Sequence, residues 1–348
     1  MPPAAPDEPD TSRAPLRVAA VSGGVGGARF LRGLRDHLDA AGLAAEVTVV
    51  ANTGDDITLH GLRVCPDLDT LMYTLGGGVD ETQGWGRAGD THEVAAELAA
   101  YGAGPAWFTL GDRDLATHLV RTRMLGAGYP LSEVTRALCE RWQPGVRLLP
   151  MSDQPVETHV VVADPERRAV HLQEWWVRLR AEVPALGFPL LGLDAAAPGP
   201  GVLDALRGAD VVLLPPSNPV VSLGPVLALP GVRDALRGTA APVVGVSPLV
   251  GGRAVRGMAE ACLAALDVPA TAAGVATLLA DVLDAWLVDD TDLADTRAAL
   301  GEDAGRASAG PSAPPSLHGT DLLMRDRTGA ARLAGTALQV ALDRRAAA

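Results

Sequence analysis

A chain of 348 residues, 48% of them hydrophobic, carries enough apolar material for one full core with room for an insertion. Its formal net charge of −13 argues against a nucleic-acid or anionic-membrane surface, because such partners select basic faces, and leaves small-molecule chemistry as the expectation. All 29 residues pooled as Lys and Arg are Arg, which excludes a Schiff-base lysine and a GxxxxGK[ST] phosphate loop. Any phosphate must then be met by Arg, backbone N–H groups or a metal. Cys65, Cys139 and Cys262 stand singly, which suggests neither a disulfide framework nor a zinc site and fits a reducing cytoplasm. Residues 1–15, rich in Pro, Asp and Ala without a basic start or apolar stretch, read as a disordered tail, and no run reaches membrane-span length.

Residues 17–21 are a continuous β-branched apolar run, the pattern of a strand buried on both faces. They lead into Ser22-Gly23-Gly24-Val25-Gly26-Gly27 and a helical pattern with Phe30, Leu31, Leu34 and Leu38 on one side. Bare glycine backbone between a strand and a helix lets N–H groups and the helix dipole approach an anion. Ser22, Gly23, Gly24, Gly26 and Gly27 are therefore candidates to hold phosphate or diphosphate, a plain tight turn being the alternative. The dinucleotide fingerprint is incomplete: Arg29 fills the third glycine position, and Asn52 rather than an acid follows the second strand at 47–51.

Past that strand, Asn52-Thr53-Gly54-Asp55-Asp56 and Cys65-Pro66-Asp67-Leu68-Asp69-Thr70 crowd carboxylates that need neutralising. Mg²⁺ bound by one or two carboxylates plus substrate phosphates does this, and Asp55 and Asp69 are the expected ligands. The alternative makes Asp67 a helix cap and Asp55 and Asp56 solvated turn residues. About 150 residues then precede the third strand, too many for a simple crossover, so an insertion is expected. Its first part reads helical, with Asp90 or Thr91 capping a helix to Leu98, Asp112 one to Met124, and Ser132 one to Trp142. Asp114, His118 and Arg121 share one face of the second helix, which either borders a site or forms a surface stripe of ion pairs; Gly111, Asp112 and Arg113 open it. Runs at 156–162 and 169–173 read as strands, and Trp175-Trp176 as core or interface, a flavin-stacking platform being the alternative.

The third and fourth buried strands are 210–214 and 242–246. Pro215-Pro216-Ser217-Asn218-Pro219 stiffens the turn after the first, so that Ser217 and Asn218 face the crevice and Ser222 caps the next helix. Ser247-Pro248 and Gly251-Gly252-Arg253 follow the second, with Arg253 a candidate phosphate partner. Gly, Ala, Ser and Pro over 301–315 read as linker and 333–342 as a final helix. The expected fold class is α/β, a doubly wound, mainly parallel sheet whose turns converge on one crevice beyond the strands' carboxyl ends. The expected division is a core at 16–58 and 146–300, an inserted helical subdomain at 59–145, a linker at 301–318 and a C-terminal helix at 319–348 packing on the core.

In this order, SGGVGGARFLRGL, NTGDD, HGLRVCPDLDTLMYTLGG, LGDRDLATHLVRT, PMSDQPVETHV, PPSNPVVSLGPVL and SPLVGGRAVRG resemble the blocks of the 2-phospholactate transferase family of coenzyme F420 biosynthesis. The likeness runs from Val18 through Gly257, with an echo at Thr320-Asp321-Leu322-Leu323-Met324. It implies a Rossmann-like core with an inserted largely helical subdomain, a homodimer, and a Mg²⁺-assisted reaction. In that reaction the terminal ribityl hydroxyl of the deazaflavin Fo attacks the phosphorus bearing a three-carbon acid in a guanosine diphosphate-linked donor, and GMP leaves. SGGVGGARF is similar to the actinobacterial branch, which implies a phosphoenolpyruvyl rather than a phospholactyl donor and dehydro-F420-0 as product. Asp69 matches a family position that contacts Fo, and Thr109 a second one where archaeal members have Lys. On this reading Mg²⁺ on Asp55, Asp69 or both offsets charge on the diphosphate while one carboxylate takes the hydroxyl proton. The glycine loop, Arg113 and the Ser217/Asn218 turn hold the donor; Asn52, Asp112, His118, Ser222, Ser247 and Arg253 complete the substrate-binding candidates. A nicotinamide-dependent oxidoreductase and a nucleotide sensor without turnover are the alternatives, the first lacking its full GxGxxG and its acid.

Overall fold

The computed structural model describes residues 14–163, 165–301 and 314–347; the expected tail up to residue 13 and the expected linker from 302 to 313 lie outside them. Strand β1 (Leu16–Ser22) is buried along most of its length, as its Val and Ala run requires, and α1 (Gly24–Ala40) follows with Phe30, Leu31, Leu34 and Leu38 turned inward. After β2 (Ala45–Ala51) come the hairpin β3 (Ile57–Leu59) and β4 (Leu62–Val64) and helices α2 (Pro66–Leu75), α3 (Glu93–Ala100), α4 (Asp112–Gly126) and α5 (Leu131–Trp142). Strand β5 (Arg147–Pro150) returns the chain to the main sheet beside β2. A second excursion builds a small antiparallel sheet from β6 (Glu157–Ala163), β7 (Arg167–His171), β8 (Ala185–Gly187) and β9 (Leu190–Leu191). Helix and strand then alternate: α6 (Val202–Gly208), β10 (Val211–Leu214), α7 (Leu223–Ala228), α8 (Val232–Gly238), β11 (Val243–Val246), the hairpin β12 (Leu249–Val250) and β13 (Arg253–Ala254), α9 (Ala259–Ala264), α10 (Ala272–Leu279), β14 (Ala285–Val288), α11 (Leu293–Leu300), β15 (Ser316–Gly319) and α12 (Arg327–Ala347).

The main sheet runs β15-β14-β11-β10-β1-β2-β5 with every pairing parallel. This is the expected doubly wound α/β fold. The chain winds outward from β1 to β5, then crosses back to β10 and winds the other way. The order therefore reverses between β1 and β10, where such sheets leave a crevice. Alternate residues of β1 feed opposite layers: Val18 and Ala20 pack with Leu31, Leu34 and Leu338 on one face, Ala19 and Val21 with Leu206, Val226 and Val232 on the other. Ser316–Gly319, placed at the end of a linker by its composition, instead forms the edge strand β15, whose partly polar side chains gave no apolar run to read.

Helix α12 lies on α1 closely enough that Gly33 touches backbone. A Cβ there would fall on the Ala330 carbonyl and within 2.7 Å of the Ala331 nitrogen. Gly33→Ala is expected to cost about 1–3 kcal/mol by forcing the helices apart. A lowered denaturation midpoint at unchanged slope would show it; no shift would mean that the two helices separate freely.

The insertion corrects the expected caps. Asp112 stands at the start of α4, but its carboxylate accepts from the backbone N–H groups of Glu93 (3.0 Å) and Val94 (3.0 Å) and from the Thr91 hydroxyl (2.6 Å), so it caps α3. Asp90 does the reverse, accepting from the N–H groups of Arg113 (2.7 Å) and Asp114 (3.0 Å) at the start of α4. The two helices thus cap each other, each gaining an acceptor for orphan donors. Ser132 likewise does not cap α5; Asp153 accepts from its N–H and hydroxyl.

Candidate functional site

A cavity of about 600 Å³ opens at the carboxyl ends of β1, β10 and β11 and is walled on the far side by α2, α4 and the small sheet. Gly23, Gly24, Gly26, Asp55, Asp69, Thr109, His118, Ser217, Asn218, Ser222 and Ser247 all line it, although they come from segments spread over most of the chain. Six other candidates do not. Ser22 is fully buried beneath the turn, and Gly27 lies directly over it, where a Cβ would strike the Ser22 and Ser217 hydroxyls. Asn52 is buried behind the wall, Asp112 serves α3, and Arg113 and Arg253 are exposed elsewhere. Ser222 sits at the start of α7 but makes no side-chain cap.

The glycine turn is packed against the protein's own groups. Gly24 N–H donates to Asp67 Oδ1 at 2.7 Å, and Asn52 Nδ2 donates to Asp67 Oδ2 at 2.9 Å. Asp67 therefore does not cap its own helix; it supplies the carboxylate at the positive end of α1. Ser217 Oγ donates to the Gly23 carbonyl at 2.9 Å, and a Cβ on Gly26 would strike the Pro216 carbonyl. Bare glycines thus let the β1 and β10 turns interlock, and Val25 and Gly26 are left facing the cavity.

Asp55, 6% exposed, accepts from Asn52 Nδ2 (3.4 Å) and Gln173 Nε2 (3.3 Å). Burial, and then the negative charges of Asp67 and Asp56, push its carboxyl well above the usual range. Burial also lifts Asp67 to about 6 against the pull of Asn52 and Gly24, and Asp56 to about 7 against Arg63 and the Cys65 thiol.

Asp69, by contrast, is neutralised. Arg121, 1% exposed, donates to it through both terminal nitrogens, one at 3.0 Å to Oδ2 and one to Oδ1. His118 Nδ1 lies 3.1 Å from Arg121 Nη1, a distance at which it must accept, and His118 Nε2 approaches Asp114 Oδ2 at 3.3 Å. Tyr73 donates to Asp114 Oδ1 at 2.6 Å. Burial opposes ionisation of Asp114, but His118 and Tyr73 hold its carboxyl below the usual range. The polar face of α4 therefore borders the site. Tyr73, Gln173, Arg29 and Arg256 also line the cavity, and so do Trp85, Phe108 and Trp176. Asp114 could be read from its helix face. Of the Trp pair expected in the core or an interface, Trp175 is buried but Trp176 lines the cavity, and Gln173, at the end of an expected strand, gave no sign of facing it.

Do these residues suit a divalent cation? The repelling pair Asp55 and Asp67 is the kind of charge a cation relieves, and Asp55 faces the cavity. Asp69 retains acceptor capacity beyond its two Arg121 bonds, since an ionised carboxylate offers about four lone-pair sites. Among the described residues no three His, Cys, Asp or Glu side chains form a ready cage, so a cation here would draw further ligands from substrate and water. The residues fit that arrangement.

Residues 18–308 match the family described as "2-phospho-L-lactate transferase CofD". A "Phosphoenolpyruvate transferase" of Thermobifida fusca is 56% identical over 334 residues, covering 94% of this chain and 98% of the relative. A protein of the same description from Streptomyces avermitilis is 63% identical over 279 residues, 80% of this chain and 86% of the relative. Among solved structures, a crystal structure of protein BH3568 from Bacillus halodurans, described as a member of the upf0052 family, aligns with TM-score 0.58 at 16% identity, covering 94% of this chain and 100% of that one. That last likeness supports the fold alone. Among the described residues no helix is long and apolar enough to cross a membrane.

Proposed function

The chain belongs to the 2-phospho-L-lactate transferase CofD family and is a transferase; from that membership we propose a substrate pair and a division of labour. The donor is a guanosine diphosphate whose terminal phosphate bears the enolpyruvyl group, that is, GMP joined to phosphoenolpyruvate; the acceptor is the deazaflavin Fo of coenzyme F420 biosynthesis, and the products are GMP and dehydro-F420-0. The relatives described as phosphoenolpyruvate transferases favour that donor over its phospholactyl counterpart. The observation that carries the reading is the wall of the cavity, where Asp55 and Asp69 face one space with the flat side chains of Trp85, Phe108 and Trp176. Such side chains supply area for a planar ring, and the carboxylates supply polar chemistry beside it.

In this scheme the terminal ribityl hydroxyl oxygen forms a bond to the phosphorus bearing the three-carbon acid, and the bond from that phosphorus to the GMP oxygen breaks. Asp55 and Asp69 would hold Mg²⁺, which when bound offsets the charge of the diphosphate. Asp55, on the cavity wall and among the described residues bonded only to the Asn52 and Gln173 amides, suits the role of accepting the hydroxyl proton, while Asp69, fixed by Arg121, suits that of an anchor. The wall positions the reactants and the aromatic rim limits water.

Purified protein mixed with Fo, Mg²⁺ and each donor separately, followed by GMP release and product mass, tests this. Mg²⁺-dependent transfer from the phosphoenolpyruvyl donor is expected. Preferred transfer from the phospholactyl donor would replace the substrate, and nucleotide binding without transfer from either would replace the enzyme by a sensor.

A further inference from the structure

The floor of the cavity is anionic, yet its rim carries the only two guanidinium groups among the lining residues, Arg29 and Arg256. They reach it from distant parts of the chain, Arg29 from the second turn of α1 and Arg256 from the segment after β13. Among the described residues neither has a carboxylate partner. Arg29 donates to the Glu81 carbonyl at 3.4 Å and Arg256 to the Gln83 carbonyl, while the Glu81 carboxylate is taken by Arg32. Arg35, Arg87 and Arg113 also rest on backbone carbonyls, but none of them lines the cavity; what sets Arg29 and Arg256 apart is that two cations without a carboxylate share its edge. They also repel: burial and then the charge of Arg29 push the Arg256 guanidinium down. The turn between them is laid close by Gly84, at φ +77°, where a Cβ would come within 3.0 Å of Arg256 Nη1 and 2.7 Å of Val25 Cγ1. The turn thus packs on Val25 and Arg256, and its Glu81 and Gln83 carbonyls hold Arg29 and Arg256 respectively.

We infer that Arg29 and Arg256 form an oxyanion subsite for the donor, separate from the carboxylate wall, and that they set specificity for a donor carrying an acid beyond its nucleoside. A planar fork with several donors suits bidentate capture of a carboxylate or a phosphate. The chemistry fits two sources on one molecule, the carboxylate of the three-carbon acid and a diphosphate oxygen. The inference rests on the transferase reading for the identity of the donor, but the anion site itself does not.

Arg29→Gln and Arg256→Gln are to be compared with the wild type for donor KM, Fo KM and kcat, and by calorimetric titration with GDP, pyrophosphate and phosphoenolpyruvate. Each variant is expected to raise donor KM by about 10–100-fold, the value of a charge-assisted hydrogen bond, with Fo KM held within about twofold. Arg256→Lys should recover part of the loss, because the charge remains while the fork does not. If GDP and pyrophosphate weaken in step with the donor, the anion is the diphosphate; if only the donor and phosphoenolpyruvate weaken, it is the carboxylate. Equal damage to both substrates' KM, or a lowered Tm with unchanged anion titrations, would overturn the subsite and make the arginines mere tethers for residues 80–86. Unchanged values throughout would overturn it too. If the wild type transfers nothing yet binds GDP or phosphoenolpyruvate through these two residues, the transferase reading fails and the subsite stands.

Discussion

Asp55→Asn is expected to lower turnover by about 10²–10⁴-fold while making the free protein more stable at neutral pH. The two effects have one cause. Asp55 is buried beside Asp67 and Asp56, and burial together with those charges raises its pKa well above the ordinary value. The folded state therefore holds the Asp55 proton more tightly than the unfolded chain does. Below the unfolded value of about 4 both states are protonated and the group costs nothing. As pH rises past that point the unfolded chain ionises first, so native stability falls until the folded pKa is passed. Asp67, lifted to about 6, and Asp56, lifted to about 7, act in the same sense, so their share of the loss falls between about pH 4 and 7, while that of Asp55 continues until its own raised pKa is passed. Asn keeps an acceptor for Gln173 and removes one charge from the cluster. The check is Tm against pH with and without Mg²⁺. The wild-type and variant curves should converge at low pH and separate toward neutrality, and Mg²⁺ should raise the wild type more than the variant. An equal drop in Tm at every pH would mean that the carboxylate is a structural acceptor for Asn52 and Gln173, and turnover within a few-fold of the wild type would remove it from the reaction.

The pattern of legible and illegible features follows from how each is encoded. Strands β1, β2, β10 and β11 declare themselves because burial on both faces demands unbroken apolar, mostly β-branched runs. Strand β5, Arg-Leu-Leu-Pro, has no β-branched residue, β14, Ala-Trp-Leu-Val, has one, and β15 is a partly polar edge, so none shows the β-branched run that marks the others. The acid-rich turns after β2 are local and visible. What they bind to is not: Asp67 meets α1 across 43 residues and Asp69 meets Arg121 across 52. The exchanged caps make the same point, since Asp90 and Asp112 are recognisable as cap residues while the helix each one serves is decided in space. Arg253 was the arginine visible beside a glycine pair, yet the hairpin turns it outward and presents Arg256 to the cavity.

Arg121 is the residue whose loss should cost most in stability. It is 1% exposed and donates to both oxygens of Asp69 and, at 3.3 Å, to the Arg63 carbonyl. Arg121→Met fills similar volume but leaves Asp69 buried without its partner and close to the Asp55, Asp56 and Asp67 cluster, and breaking one side of such a pair costs about 3–5 kcal/mol. Removing both charges should cost much less, because the remaining damage is lost hydrogen bonding to Arg63 and His118. A double-mutant cycle of Arg121→Met with Asp69→Asn, read by denaturant unfolding, is therefore expected to show a coupling of at least about 2 kcal/mol. The activities should not follow the stabilities. Asp69→Asn restores the fold of the Arg121→Met protein without restoring turnover, because the carboxylate itself is needed at the wall, whereas a site in which Asp69 merely braces α4 would regain both. Additive stability losses would mean that water in the cavity already solvates Asp69, and would leave Arg121 free to swing toward a bound anion.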